Sequence, residues 1–234
     1  MKITAIKTRI FRENEDLMNF ILSYVKKLPE KSILVVTSKI VALSEGRTAT
    51  FKNQKEKTAL IKRESEFSLK TKYVWLTVKD GTIMAEAGID ESNAKGKLVL
   101  LPKDSFKSAG QIKQALKKKF KIKNLGVLIT DSRLLPLRAG VVGVALGYSG
   151  FAGIRDYRGK PDIFGRKLKL TRTDVADSLA TAAVLIMGEG KERQPLAIIT
   201  EVPVVFTEKV KKKELIINPK EDLYAPLFRS ILKK

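Results

Sequence analysis

Short apolar runs rich in Val and Ile alternate with amphipathic stretches along the chain, and that alternation predicts a mixed α and β domain. "KITAIKTRI" and "SILVVTS" read as strands. Between them, "NEDLMNFILSYVKKL" places Leu17, Phe20, Ile21 and Tyr24 at helical spacing. "EKTALIKRESEFSLK" reads as a second, weaker helix. "FKSAGQIKQALKKKF" reads as a third, with Ile112, Ala115, Leu116 and Phe120 on one face and lysines on the other. "YVWLTVKDGTI" is a strand, an Asp-Gly turn and the start of another strand. "LGVLITDS" is a nearly all-apolar strand that ends in polar residues. In "TDVADSLATAAVLIMGEG" Thr173 serves as a helix N-cap, acidic residues fill the first turn, and Gly188 stands near the end. "QPLAIITEVPVVF" and "ELIINP" add strands, and "DLYAPLFRSILKK" reads as a terminal helix broken by Pro226. No repeat or linker interrupts residues 1–234, which read as a single domain with room for two lobes. Strands are not joined by regular helical crossovers, so the expected class is α+β, with mixed, mostly antiparallel sheets and flanking helices.

Composition narrows the chemistry. A chain of 234 residues with 44% hydrophobic content can bury a sizeable core. Cysteine and histidine are both absent, which excludes disulfides, thiolate metal sites, thiol nucleophiles and imidazole acid–base catalysis. Any metal must therefore sit among oxygen ligands. No apolar run reaches the length of a bilayer, and "MKITAIKTRI" lacks a secretory apolar region, so a soluble cytoplasmic protein without membrane contact is expected. The net charge of +21 would attract polyanions or an anionic substrate. The basic residues are nevertheless spread out, without the aromatic interleaving that stacks bases, so nucleic acid is not the expected partner.

Three carboxylates end apolar segments: Asp90 after "IMAEAGI", Asp131 after "LGVLIT" and Glu189 after "AAVLIMG". A core element that stops at a carboxylate presents it on a rigid support, as in magnesium and manganese sites for phosphoryl transfer. Singly, each is also an ordinary turn or end residue. "GVVGVALGYSG" lacks the Lys-Ser/Thr of a P-loop and reads either as an anion loop or as a buried strand closely approached by another backbone. Arg155, Arg158 and Arg166 lie in a turn-rich segment, balanced between an anion clamp and a plain basic loop.

Six segments in order then carry a resemblance: "VVTSKIVALSEGR" (35–47), "AEAGIDESN" (85–93), "LLPKDSFKSA" (100–109), "GVLITDS" (126–132), "RGKPDIFGRKL" (158–168) and "DSLATAAVLIMGEG" (177–190). Together they resemble the coenzyme F-420:L-glutamate ligase (CofE) family of γ-glutamyl ligases. The resemblance implies an α+β fold in an intertwined homodimer. It also implies GTP- and Mg2+- or Mn2+-dependent joining of L-glutamate to an anionic deazaflavin precursor, with an acyl phosphate as intermediate. Carried over by position, Asp90, Asp131, Ser132 and Glu189 look like metal ligands, with Asp90 and Asp131 catalytic. Ser38, Lys39, Asn93, Met187, Gly188, Glu189, Gly190 and Lys191 look like nucleotide contacts, and Arg138, Arg155 and Arg158 resemble substrate contacts. The chain departs from the family's common "TDTxGRPWR" pattern, having "TDSRLLPLR", so that Leu134, Leu135 and Leu137 replace Gly, Arg and Trp. Leu43 likewise stands where a nucleotide-contacting Lys is common. These changes leave a pterin acceptor, as in a folylpolyglutamate synthase-like reaction, as an alternative within the class. A basic nucleic-acid-binding protein on a repurposed fold is the alternative outside it.

Overall fold

The structure, a computed structural model, describes residues 1–92, 94 and 96–227. Its elements run β1 (Lys2–Ile6), α1 (Leu17–Tyr24), β2 (Ser32–Thr37), α2 (Ser38–Ser44), β3 (Thr48–Ala49), α3 (Gln54–Arg63), β4 (Phe67–Lys70), β5 (Trp75–Lys79) and β6 (Thr82–Ala85). After these come β7 (Leu98–Val99), α4 (Ser105–Phe120), β8 (Leu125–Leu134), β9 (Val141–Ser149), β10 (Ile154–Asp156), β11 (Arg172–Asp174), α5 (Val175–Met187) and β12 (Leu196–Thr200). The class is α+β with mostly antiparallel pairing, as the sequence predicts. Two compact units divide the chain, one of residues 1–48 and 101–212, the other of residues 49–100 and 213–234.

The larger unit is built on a five-stranded sheet of order β1-β12-β2-β8-β9. Only the β2–β8 pair in it is parallel, with Thr37 opposite Thr130. Both strands are continuous apolar runs because both faces are covered. On one face Leu34, Val36, Leu125, Val127 and Ile129 pack with Phe20 and Ile21 of α1 and with Ile112 and Leu116 of α4. Each helix starts where a short polar side chain can accept from an otherwise unpaired amide: Asp16 from Asn19 and Asp104 from Lys107.

At the start of α5 the cap is Asp174, whose Oδ1 accepts from Asp177 N at 2.9 Å, and Thr173 is the last but one residue of β11. In α4 Ala115 is exposed and Lys113 is buried instead, its Nζ 2.5 Å from Glu208 Oε2. A lysine can line an apolar face when its stem packs and its ammonium finds a carboxylate.

In the smaller unit β4, β5 and β6 form an antiparallel sheet, turned between β5 and β6 by Asp80 and Gly81, both with positive φ (51° and 71°). That is the conformation an Asp-Gly hairpin demands. The weak helix expected through residue 70 stops at Arg63. "FSLK" alternates apolar and polar residues and pairs with β5, so a strand with a partner prevails over a marginal helical pattern. "ELIINP" forms no strand: residues 212–215 are turns. Residues 219–227 are bends and turns where the sequence predicts a terminal helix, and the rest of that helix lies outside the described residues. No helix among the described residues is long and apolar enough to cross a membrane.

Candidate active site

The parallel pairing of β2 and β8 explains the first contact. β2 ends at Thr37, opposite Thr130, while β8 runs on to Leu134, so Ser38, the first residue after β2, comes beside Asp131 of β8. Ser38 is buried, and its Oγ lies 3.5 Å from Asp131 Oδ1. Side chains alternate along a strand, so Ser132 points to the opposite face. There its Oγ donates to Glu189 Oε1 at 2.5 Å.

Glu189 reaches that face because α5 lies unusually close to β9. Ser132 pairs with Gly143, and a side chain at Gly143 would begin 2.4 Å from the Ala180 carbonyl oxygen of α5. With no side chain there, Thr181 Oγ1 donates to the Gly143 carbonyl at 2.7 Å. Gly147 admits the start of α4 in the same way, 2.5 Å from Phe106 N. "GVVGVALGYSG" is therefore a strand closely approached on both faces, and the anion-loop reading of it falls away. Leu146 is the extra residue of a bulge opposite the Ile129/Thr130 step.

Beyond α5 the chain turns at Gly188, with φ of 82°. Met187 is buried, so only its backbone faces the turn. The acid that fills this turn is Glu192: its carboxylate accepts from Gly190 N at 2.8 Å and occupies the space where a side chain at position 188 would lie. Lys191 is exposed and Lys39 is half-buried at the start of α2. Sequence reasoning passed over Glu192. An acid two residues beyond a Gly-x-Gly turn is the signal that it can fold back onto the amides.

The arginines divide. Arg138 is exposed just past Leu137 in the β8–β9 connection. Arg155 donates to the Pro203 carbonyl, and Arg158 grips Asp156 with Nη2 2.6 Å from Oδ2, holding that carboxyl down to about 2. Arg158 thus serves its own hairpin and Arg155 ties that hairpin to the segment after β12, which favours the plain-loop side of the balance.

In the smaller unit, Asp90 forms an isolated bridge with Val99, with both amide–carbonyl bonds at 2.9 Å. Its carboxylate accepts from Ser92 N at 2.6 Å and Ser92 Oγ at 2.8 Å. The preceding turn is unusual: Glu86, Ala87 and Gly88 all have positive φ, at 49°, 56° and 71°. Left-handed backbone costs a non-glycine residue about 1 kcal/mol. Lys57 Nζ spans Glu86 at 2.7 Å and Glu91 at 2.6 Å. Burial alone would lower the Lys57 pKa, but the bonds to the two glutamates outweigh it and raise it. Asn93 lies outside the described residues.

A second carboxylate pair stands at the head of α5. Burial pushes Asp174 up to about 6, and the neighbouring Asp177 adds to the rise, though the Asp177 amide opposes it. Asp177 itself accepts from Ala145 N at 2.8 Å.

Among the described residues no three acidic side chains gather into a group able to hold a metal ion. The donors nevertheless fit magnesium or manganese in kind. Ser38, Asp131, Ser132 and Glu189 offer only oxygen, and such ions in phosphoryl transfer commonly take one or two carboxylates and draw the rest from phosphate and water.

Residues 5–201 match the family model described as F420-0:Gamma-glutamyl ligase. A coenzyme F420:L-glutamate ligase of Methanococcus maripaludis (strain C7) is 34% identical, over 96% of this chain and 97% of its own. The protein of that name from Methanopyrus kandleri is 32% identical over 92% and 94%. That from Methanosarcina acetivorans is 30% identical over the full length of both. With the match spanning both Asp131 of β8 and Glu189 beyond α5, the chain belongs to the F420-0:gamma-glutamyl ligase family and is a ligase.

Proposed function

We propose that the protein is a GTP- and divalent-metal-dependent γ-glutamyl ligase that joins the amine of L-glutamate, by an amide bond, to a carboxylate of an anionic acceptor of the coenzyme F420-0 type. The observation that carries this reading is full-length similarity to ligases of that name; beside it stand oxygen donors near the end of β8, Asp131 with Ser38 on one face and Ser132 with Glu189 on the other. In the first step an acceptor carboxylate oxygen attacks the γ-phosphorus of GTP, the bond to the bridging oxygen breaks, and GDP leaves. The product is an acyl phosphate. The glutamate amine then attacks its carbonyl carbon, inorganic phosphate departs, and the nitrogen loses a proton as the amide forms. Neither step calls for histidine or cysteine.

A bound Mg2+ or Mn2+ would neutralise charge on the phosphoryl oxygens. The proposed ligands are Asp131 on one face of β8, Ser132 and Glu189 on the other, and, within the smaller unit, Asp90. Ser38 and Lys39 at the start of α2, and the 187–191 turn, are the proposed nucleotide contacts, with Asn93 a further one by resemblance. Arg138 is the proposed contact for the acceptor's charge. L-Glutamate and GTP are the small-molecule partners, and a homodimer is the proposed assembly.

One observation favours a second acceptor. Leu134 at the end of β8 and Leu135 and Leu137 in the β8–β9 connection are all exposed, a few residues beyond Ser132. Leucine at 135, where the family pattern has Arg, removes a cation that could pair with an acceptor's phosphate, so a pterin acceptor without that group is the reading to set against the deazaflavin. Mass spectrometry of products from L-glutamate, GTP, Mg2+, Mn2+ and a mixture of both acceptors decides between them. Asp131→Asn is expected to abolish the glutamylated product with an unchanged melting curve. Full activity in that variant would remove Asp131 from the site.

A further inference from the structure

The smaller unit holds Asp90 in place with an arrangement that its own hydrophobic core does not require. Thr77, in the middle of β5, is fully buried. Its Oγ1 donates to the Met84 carbonyl at 2.7 Å and accepts from the Ala87 amide at 2.8 Å. The accepted amide belongs to the second of three consecutive left-handed residues, so one hydroxyl fixes the turn at its most strained point. Valine would fill the same space without either bond.

Lys57 works on the same turn from α3. Its ammonium binds Glu86 on one side of Asp90 and Glu91 on the other. Three carboxylates lie within residues 86–91, and like charges so close repel. Lys57 ties the outer two together, which fixes the direction in which the backbone carries Asp90 towards its bridge with Val99. Side chains with no role in packing rarely combine full burial, a doubly bonded hydroxyl and two consecutive strained non-glycine residues, and such strain gathers at functional sites.

We infer that Thr77 and Lys57 are positioning residues that set the Asp90 carboxylate for a divalent cation. The inference rests on the proposed role of Asp90 as a metal ligand. Neither residue touches the reacting groups: Thr77 acts through the Ala87 amide, and Lys57 acts through Glu86 and Glu91. A ligand carboxylate must be held within about 0.5 Å and 10–20°, and this turn fixes the backbone that carries it.

The test is Mn2+ binding, read by the electron paramagnetic resonance signal of the free ion, with and without GDP, on full-length protein. Five proteins are compared: the natural chain, Asp90→Asn, Thr77→Val, Thr77→Ser and Lys57→Met. Thr77→Val and Lys57→Met are expected to weaken Mn2+ binding about tenfold in molecules that circular dichroism reports as folded. Thr77→Ser, which keeps the hydroxyl, is expected to bind as the natural protein does. If Asp90→Asn weakens Mn2+ while Thr77→Val and Lys57→Met bind normally, the positioning role is overturned. If Asp90→Asn itself binds Mn2+ normally, the ligand role of Asp90 fails, and the inference fails with it for that separate reason. Should Thr77→Val not fold, Lys57→Met decides the question, since its two ion pairs lie outside the apolar cluster.

Discussion

Ser132 differs from alanine by one oxygen, and that oxygen meets Glu189 at 2.5 Å. Both groups touch solvent, so Ser132→Ala is expected to cost less than about 1 kcal/mol in urea unfolding while lowering the ligation rate at least tenfold. A rate equal to the natural protein's would exclude Ser132 from the reaction. Asp174 carries a pH dependence. Its folded pKa, about 6, stands above its unfolded value. The neutral form is therefore favoured in the fold: the contribution to stability is complete below about pH 4 and is lost as pH rises through about 6. Asp174→Asn keeps an accepting oxygen for the Asp177 amide. Because the group is only partly buried, solvent screening reduces the effect to roughly 1 kcal/mol. The variant is expected to melt about 2–4 °C higher at pH 7.5 and unchanged at pH 4. At this scale the sequence showed where a carboxylate ends an apolar run, as at Asp131 and Glu189, and the structure sets a serine hydroxyl beside each. The sequence was illegible where a residue acts through shape, as at Thr77, because nothing in a lone buried threonine announces that its hydroxyl meets a left-handed amide.

Gly143 decides how α5 sits on the sheet. A valine there would meet the Ala180 carbonyl oxygen within 2.4 Å, so helix and strand must separate. Gly143→Val is expected to destabilise by about 1–3 kcal/mol in urea unfolding and to lower activity further than stability alone explains, because Glu189 travels with α5. Equal activity per folded molecule would show that α5 can shift without harm. The long elements were the readable ones. Sixteen residues of α4 carry enough helical periods, and β2 and β8 are too apolar to be loops. Short elements were not: α2 has seven residues and follows β2 without a break, so its pattern merges with the strand. The "ELIINP" segment has the composition of a strand but pairs with no strand among the described residues. Periodicity describes what a segment can bury, and the rest of the chain decides whether anything is there to receive it.

Across the whole molecule, 46 basic residues face 25 acidic ones. Such an excess repels itself, so raising NaCl from about 20 mM to 300 mM is expected to raise Tm by about 2 °C or more. A flat response would mean that the charges are already paired locally. The same excess suits the anionic nucleotide and acceptor proposed above more than nucleic acid, because the basic segments lack interleaved aromatic residues. Sheet order has a consequence of another kind, in the timing of manufacture. β12 is placed between β1 and β2, although it is the last strand of that sheet to be synthesised. Until Thr200 has left the ribosome, β1 has no neighbour and β2 presents an apolar, unpaired edge. The nascent chain therefore carries its greatest hazard of aggregation for most of its synthesis, and one five-residue strand ends it. A chain stopped at residue 190 is expected to precipitate when expressed, whereas one that runs through β12 stays in solution.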